Sequence, residues 1–419
     1  MDKLVIEGGH PLKGEIRVSG SKNSALPILA ATLLTDDVCV LKNIPRLRDT
    51  LTMIRLLRSL GKAVDLGKDT ITVSGPTTSD TAEYKLVSTM RGSFCVLGPI
   101  LAKLGKAKVS LPGGCVIGIR PVDLHLKGIK SLGANISFDG GYVIATARRL
   151  KGNHIYLGGV FGSSVLATAN VMMAATLAQG ETIIEAAACE PEIADLADFL
   201  ISMGAKIKGK GTPQIIISGV KKLHGTTHKI INDRIEAGTF IIMAAAMRSN
   251  IVIKDMAYTH LLALVDKLEE AGVKFEKEYN WIRVKCNKHL KPTSLTTFPY
   301  PGFPTDLQAQ FMALMAMTPG VSVITDKVYP DRFIHIAELN RMGANIRREG
   351  INAIVEGVKH LYGAPVMASD LRASAALVVA GLAAKGKTDI HRIYHLERGY
   401  ENLDSKLTQI GAKVWREKE

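Results

Sequence analysis

Met342-Gly343-Ala344-Asn345-Ile346 decides the fold, because the same pattern returns five more times along the chain. The others are Leu60-Gly61-Lys62-Ala63-Val64, Leu132-Gly133-Ala134-Asn135-Ile136, Met203-Gly204-Ala205-Lys206-Ile207, Ala271-Gly272-Val273-Lys274-Phe275 and Ile410-Gly411-Ala412-Lys413-Val414. Successive glycines are 72, 71, 68, 71 and 68 residues apart. In each stretch apolar residues at helical spacing run into a glycine, which supplies the left-handed conformation just past a helix. An apolar–polar alternation then starts a strand. Six units of about 70 residues therefore build the whole 419-residue chain.

Within each unit a polar or charged residue opens an apolar helix: residues 25–34, 96–103, 167–179, 237–247, 307–317 and 373–384. A strand follows (38–41, 108–111, 182–185, 251–253, 322–325, 387–390), then a second, amphipathic helix ending at the marker glycine. The first helices are apolar nearly all round and should be buried; the second carry Lys, Arg and Glu on one face. Six buried helices cannot share one small core. The expected class is α/β, in two domains of three units, with a hinge near residues 219–230.

Composition narrows the function. The chain is 47% hydrophobic and 22% charged, which fits a globular protein and excludes a disordered one. Aromatics are only 5%, which disfavours a nucleic-acid binder that stacks bases. Fifty-three Lys and Arg against 39 Asp and Glu give a net charge of +14, an excess that predicts an anionic partner. The start of the chain shows no signal segment, and the most apolar run, 373–384, is too short to span a bilayer. Five scattered cysteines without CxxC spacing argue against a disulfide framework and a zinc site, so a reducing cytoplasm is expected.

Counting back 37 to 42 residues from the marker glycines reaches Lys22, Arg91, Ser164, Arg234, Asp306 and Arg372. Equal offsets predict equivalent helix N-termini, where unpaired N–H groups and the positive dipole end favour an anion. A cation is locally unfavourable there by about 0.3–1 kcal/mol, a cost that a bound anion offsets. If both domains aim these termini at one cleft, the positive charge converges on a shared anionic ligand.

Three segments carry chemistry. Ser21-Lys22-Asn23-Ser24-Ala25 combines capping residues with a point charge suited to phosphate. Leu111-Pro112-Gly113-Gly114-Cys115-Val116-Ile117-Gly118-Ile119-Arg120-Pro121-Val122-Asp123-Leu124-His125 places a thiol among glycines that permit a mobile loop. Arg120 nearby would enrich the reactive thiolate. Cys39, Cys95, Cys189 and Cys286 sit in plainer settings and read as inert small hydrophobes. Pro301-Gly302-Phe303-Pro304-Thr305-Asp306 opens the fifth buried helix with an acid, either a cap or a general base. Arg332 and Arg398 share a second-loop position in the last two units and join Arg120 as candidate anion clamps. The pairs His224/His228 and His391/His395 lack a metal-site pattern, so no metal is expected.

Together, Ser21–Pro27, Pro112–His125, Asp233-Arg-Ile-Glu-Ala-Gly-Thr239, Phe303-Pro-Thr-Asp-Leu-Gln-Ala-Gln310 and Asp370-Leu-Arg-Ala373 resemble the UDP-N-acetylglucosamine 1-carboxyvinyltransferase family of enolpyruvyl transferases, end to end. The resemblance implies an inside-out α/β barrel in two domains. One would cover residues 22–230; the other would take residues 1–21 with 231–419. It implies transfer of the enolpyruvyl group of phosphoenolpyruvate to the 3′-hydroxyl of UDP-N-acetylglucosamine, with release of phosphate and without a cofactor, in the cytoplasm, opening peptidoglycan synthesis. By the same resemblance Lys22 would hold the phosphate with Asn23 beside it, and Arg91, Arg120 and Arg398 would clamp phosphate and carboxylate. Cys115 would be general acid and site of a covalent adduct, hence the target of the epoxide fosfomycin. Asp306 would take the hydroxyl proton, with Arg332 and Arg372 among the binding cations. Arg120, Pro121, Val122, Asp123, Leu124, Ser164, Val165 and Val328 would line the nucleotide site. Gly162 and Leu166 depart from the family pattern, which has Lys and Gly there. Neither nucleic acid nor membrane is expected as partner. An enzyme acting on shikimate 3-phosphate would lack the loop cysteine and Lys22-Asn23, and a basic nucleic-acid-binding repeat protein would not explain the glycine-flanked thiol.

Overall fold

The computed structural model describes residues 2–112, 122–286 and 290–419. The chain is a mixed α/β protein of two compact units, one formed by residues 20–112 and 122–231, the other by residues 2–19 and 232–419. Each has its own apolar core.

Six four-stranded sheets share one plan: a short strand parallel to a second, followed by two antiparallel neighbours. In the first unit, for example, Thr227–Lys229 runs parallel to Cys39–Lys42, which pairs antiparallel with Thr70–Ser74 and through it with Ala63–Leu66. Three strands are exceptions in sequence order: Thr227–Lys229, which follows its partner along the chain, and the two N-terminal strands. Lys13–Arg17 is the parallel partner of Asn250–Lys254. Asp2–Glu7 lies between Lys387–His391 and Lys413–Lys418, antiparallel to both. In the other five sheets the strand after the marker glycine turns back into a hairpin. In the sixth, Asp2–Glu7 takes the place of that returning strand beside Lys413–Lys418. Periodicity alone could not reveal this.

The six marker glycines, Gly61, Gly133, Gly204, Gly272, Gly343 and Gly411, have φ between 90° and 102°, the conformation that stops a helix and redirects the chain into a strand. Ahead of each lies an amphipathic helix. Arg48–Ser59 buries Met53, Ile54, Leu56 and Leu57 and turns Arg48, Arg55 and Arg58 to solvent. Four buried helices start two or three residues earlier than the apolar pattern suggests, Lys22–Ala31, Val165–Ala175, Arg234–Ala246 and Leu371–Ala383; the other two, Leu97–Leu104 and Gln308–Met315, are each preceded by a 3₁₀ turn, Arg91–Val96 and Thr305–Leu307. Their apolar bodies are buried, and their first turns are buried or half-buried. Within the segment 219–230, Thr227–Lys229 pairs with Cys39–Lys42, and the chain passes between units after Ile231.

Four buried helices have side-chain caps. Ser21 accepts from the Ser24 N–H and Ser164 from the Ala167 N–H. Asp233 Oδ1 accepts from the N–H groups of Ile235 and Glu236, and Asp370 Oδ1 from those of Arg372 and Ala373. These N-termini, expected to wait for an external anion, already satisfy part of their donor set internally.

Candidate active site

The residues 2–19 and 232–419 unit contains a carboxylate gripped by two arginines. Asp306, in the turn Thr305–Leu307 before the helix Gln308–Met315, does not cap that helix. Arg332 Nη1 donates to its Oδ1 at 2.6 Å, and Arg372 Nη2 to its Oδ2 at 2.9 Å. Both arginines are buried, whereas the Asp306 side chain keeps 26% of its exposure and so stays open on one side. Burial pushes the Asp306 carboxyl up, but the guanidinium groups of Arg372 and Arg332 outweigh it and hold the carboxyl well below the usual carboxylate range. Burial lowers both guanidinium pKa values; Asp306 outweighs it, and each is raised.

The other faces of this grip are fixed by hydrogen bonds. Arg372 Nη1 donates to the Tyr400 hydroxyl at 3.2 Å; that hydroxyl also lies 2.9 Å from Thr239 Oγ1 and accepts from Gln310 Nε2 at 3.2 Å. Gln310 Nε2 also donates to the Asp306 carbonyl at 3.0 Å, one helical turn back. Asp370 Oδ1 stands 4.0 Å from Arg332 Nη2 while capping the helix that carries Arg372. Val328 is half-buried, in the loop leading to Arg332. Arg398 is half-buried at the end of the 3₁₀ helix Ile393–Arg398, regular structure where a loop was expected. Arg234 opens its helix and lies over the Tyr300 ring, 5.5 Å from its centroid.

In the unit of residues 20–112 and 122–231, Lys22 is the first residue of its helix and is nearly buried, its Nζ 3.3 Å from Asp49 Oδ2. Asn23 follows, half-buried. The helix start is tied down by Asp195, which accepts from the Ser24 hydroxyl, lies 2.8 Å from His228 Nε2 and accepts from the Ile231 N–H at 3.2 Å. Arg91 opens its 3₁₀ turn, half-buried. Behind it His125 lies 3.0 Å from Asn170 Nδ2, and burial first, Arg91 second, lower its pKa to about 3. Val122 precedes the helix Asp123–Ser131; Asp123 is exposed and Leu124 half-buried. Ser164 caps the helix that Val165 begins. Cys115, Arg120 and Pro121 lie outside the described residues.

The four described cysteines have thiols pushed up by burial, Cys95 to about 12, so each is an un-ionised thiol near neutrality. His228 pairs with Asp195 and His391 with Glu419; among the described residues no three His, Cys, Asp or Glu side chains gather as a metal site. Gly162, one of the two departures, sits at φ 91° in a turn bridged to Gly159, a conformation that a lysine would adopt only under strain. Sequence reading missed Asp49, Asp195 and Tyr400 as supports of the expected residues. The buried amide of Gln310, four residues after Asp306 in an apolar helix, was the one available signal.

Comparison with known proteins gives the same reading. Residues 6–407 match the family model of EPSP synthase (3-phosphoshikimate 1-carboxyvinyltransferase). A protein from Methylacidiphilum infernorum (isolate V4) is 52% identical over 416 residues, covering 99% of both chains; one from Lawsonia intracellularis is 53% identical over 419 residues, covering 100% of both. Both are named UDP-N-acetylglucosamine 1-carboxyvinyltransferase. The chain belongs to the UDP-N-acetylglucosamine 1-carboxyvinyltransferases, within the EPSP synthase family. It is a transferase. Among solved structures, the enolpyruvyl transferase NikO from Streptomyces tendae superposes with a TM-score of 0.89 at 24% identity, covering 99% of this chain and 98% of that one. EPSP synthase from Acinetobacter baumannii gives 0.78 at 19% identity over the full length of both. At those identities the likeness concerns the fold, and it places this carboxyvinyltransferase chain in the mixed α/β, two-unit architecture. No described helix is long and apolar enough to cross a membrane.

Proposed function

We propose that this chain transfers the enolpyruvyl group of phosphoenolpyruvate to the 3′-hydroxyl of UDP-N-acetylglucosamine, releasing phosphate. The observation that carries the reading is the full-length identity of 52–53% to transferases named for that substrate, joined to the Arg332–Asp306–Arg372 grip. The reading includes an inside-out barrel of six repeats, in lobes of residues 22–230 and 1–21 plus 231–419, and a cytoplasmic place in peptidoglycan synthesis.

The hydroxyl oxygen adds to C2 of phosphoenolpyruvate while a proton reaches its methylene carbon, giving a tetrahedral ketal. Loss of a proton from the new methyl group then expels phosphate and restores the double bond. Cys115 supplies the first proton, and Asp306 receives the hydroxyl proton. Pairing with two arginines keeps Asp306 ionised, the form that accepts a proton, but lowers its basicity. An anionic substrate that draws Arg332 or Arg372 onto itself restores that basicity as the reactants meet. Lys22, Asn23, Arg91, Arg120 and Arg398 hold the phosphate and carboxylate of phosphoenolpyruvate, preplaced cations for a transition state rich in negative charge. Pro121, Val122, Asp123, Leu124, Ser164, Val165 and Val328 serve the nucleotide sugar.

Proton NMR of the product after incubation with both substrates tests this reading. Vinylidene signals of an enol ether on the sugar's 3-oxygen are expected; a nucleotide recovered unchanged contradicts it.

A further inference from the structure

We propose that Asp326, acting through the hydroxyl of Thr305, is the positioning residue that aims Arg332 at the carboxylate of Asp306. This rests on the reading of Asp306 and Arg332 as parts of the transferase site.

Asp326 ends the strand Gly320–Asp326 and is completely buried. Its Oδ1 accepts from Thr297 Oγ1 at 2.7 Å and from the N–H groups of Val328 at 3.0 Å and Tyr329 at 2.7 Å. The remaining oxygen, Oδ2, accepts from Thr305 Oγ1 at 2.7 Å. One carboxylate thus ties the loop that leads to Arg332 and the turn that carries Asp306 to the same sheet. As the donor in that bond, the Thr305 hydroxyl points its proton at Asp326. The Thr305 lone pairs are left for Arg332, whose Nη1 lies 3.3 Å from Thr305 Oγ1 and 2.6 Å from Asp306 Oδ1. A donor bridging two such acceptors has its direction set by both.

Asp326→Asn keeps the shape but reverses this polarity. With two backbone N–H groups and the Thr297 hydroxyl fixed on the Oδ1 side, the amide oxygen has to stay there, and its NH₂ then faces Thr305. The threonine becomes an acceptor toward residue 326, and its proton swings toward the Arg332 guanidinium, which it repels. Asp326→Asn and Thr305→Val should each lower kcat for phosphate release about 10- to 100-fold, the worth of one hydrogen bond to a charged group, and KM for the nucleotide sugar should change by less than about threefold. Thr305→Ser, which keeps the hydroxyl, should restore most of what valine loses. The double variant Asp326→Asn/Thr305→Val should be no worse than the poorer single variant, because both sever one chain of bonds.

Near-normal kcat in Thr305→Val, failure of serine to rescue, or losses that multiply in the double variant each overturn the proposal. Should Asp326→Asn fail to fold, the valine–serine pair decides. Asp306→Asn, measured alongside, separates the two levels: with that variant inactive, an active Thr305→Val overturns this proposal alone. An active Asp306→Asn removes the site reading, and this proposal with it.

Discussion

Arg372→Met removes one arm of the Asp306 grip while keeping a long, unbranched side chain in the space. The side chain of Arg372 is 2% exposed, so methionine meets no solvent requirement of its own. What it leaves behind sets the cost. Removing one partner of a buried ion pair costs about 3–5 kcal/mol. Asp306 is 26% exposed and keeps Arg332 at 2.6 Å, which places this term toward or below the low end of that range. The Tyr400 hydroxyl also loses a donor at 3.2 Å, worth about 0.5–1.5 kcal/mol. Together the expected destabilisation at pH 7 is about 3–4 kcal/mol. Both tryptophans, Trp281 and Trp415, lie in the unit of residues 232–419, so their fluorescence in a urea titration reports on the unit that holds the site. The sign with pH follows from Asp306. Its folded pKa is depressed, so its stabilisation is present above the unfolded value near ~3.9 and is lost as pH falls through the folded value. The gap between wild type and Arg372→Met should therefore narrow below about pH 4. Asp306→Asn in the Arg372→Met background should cost less than the two single losses added. A variant within about 0.5 kcal/mol of wild type, or strictly additive losses, would refute the reasoning.

Fosfomycin should label Cys115 and leave Cys39, Cys95, Cys189 and Cys286 unmodified near neutrality, because burial keeps those four thiols protonated; peptide mass mapping reads this, and label on Cys95 in the native protein contradicts it. Gly61→Ala should lower the thermal midpoint more than Gly133→Ala. Both glycines have φ near 90–102°, but a Cβ at Gly61 falls 2.2 Å from Thr78 Oγ1 and 2.9 Å from the Thr78 nitrogen, whereas at Gly133 nothing lies within 4 Å. Glu236→Gln should flatten the pH dependence of stability. Burial, opposed by Lys406, raises the Glu236 pKa from 4.5 to about 7. A raised acid contributes stability that is full below 4.5 and lost as pH rises through about 7, so urea midpoints of wild type should fall across that window more than those of the glutamine variant.

The marker glycines and the polar openings of the buried helices were legible because each depends on a local device. A positive-φ glycine ends every amphipathic helix, and a Ser or Asp cap or a charged first turn opens each buried one. The N-terminal strand Asp2–Glu7 was not legible from period: it completes a sheet with partners 380 or more residues away, and its alternation says nothing of the partner's number. The site was half legible. Asp306, Arg332 and Arg372 stood out as charges at helix starts and loops, but that one carboxylate takes both guanidinium groups, across 26 and 66 residues, is a fact of packing. Asp326, Thr305 and Tyr400 were silent for the same reason. Each is an ordinary residue for its element, and only the fold turns its polar atom toward the grip.

Phosphate release from phosphoenolpyruvate, followed with each acceptor in turn, tests the central claim most directly. Turnover with UDP-N-acetylglucosamine and none above background with shikimate 3-phosphate is the predicted result. Equal release with the two acceptors, or release that prefers shikimate 3-phosphate, would contradict it.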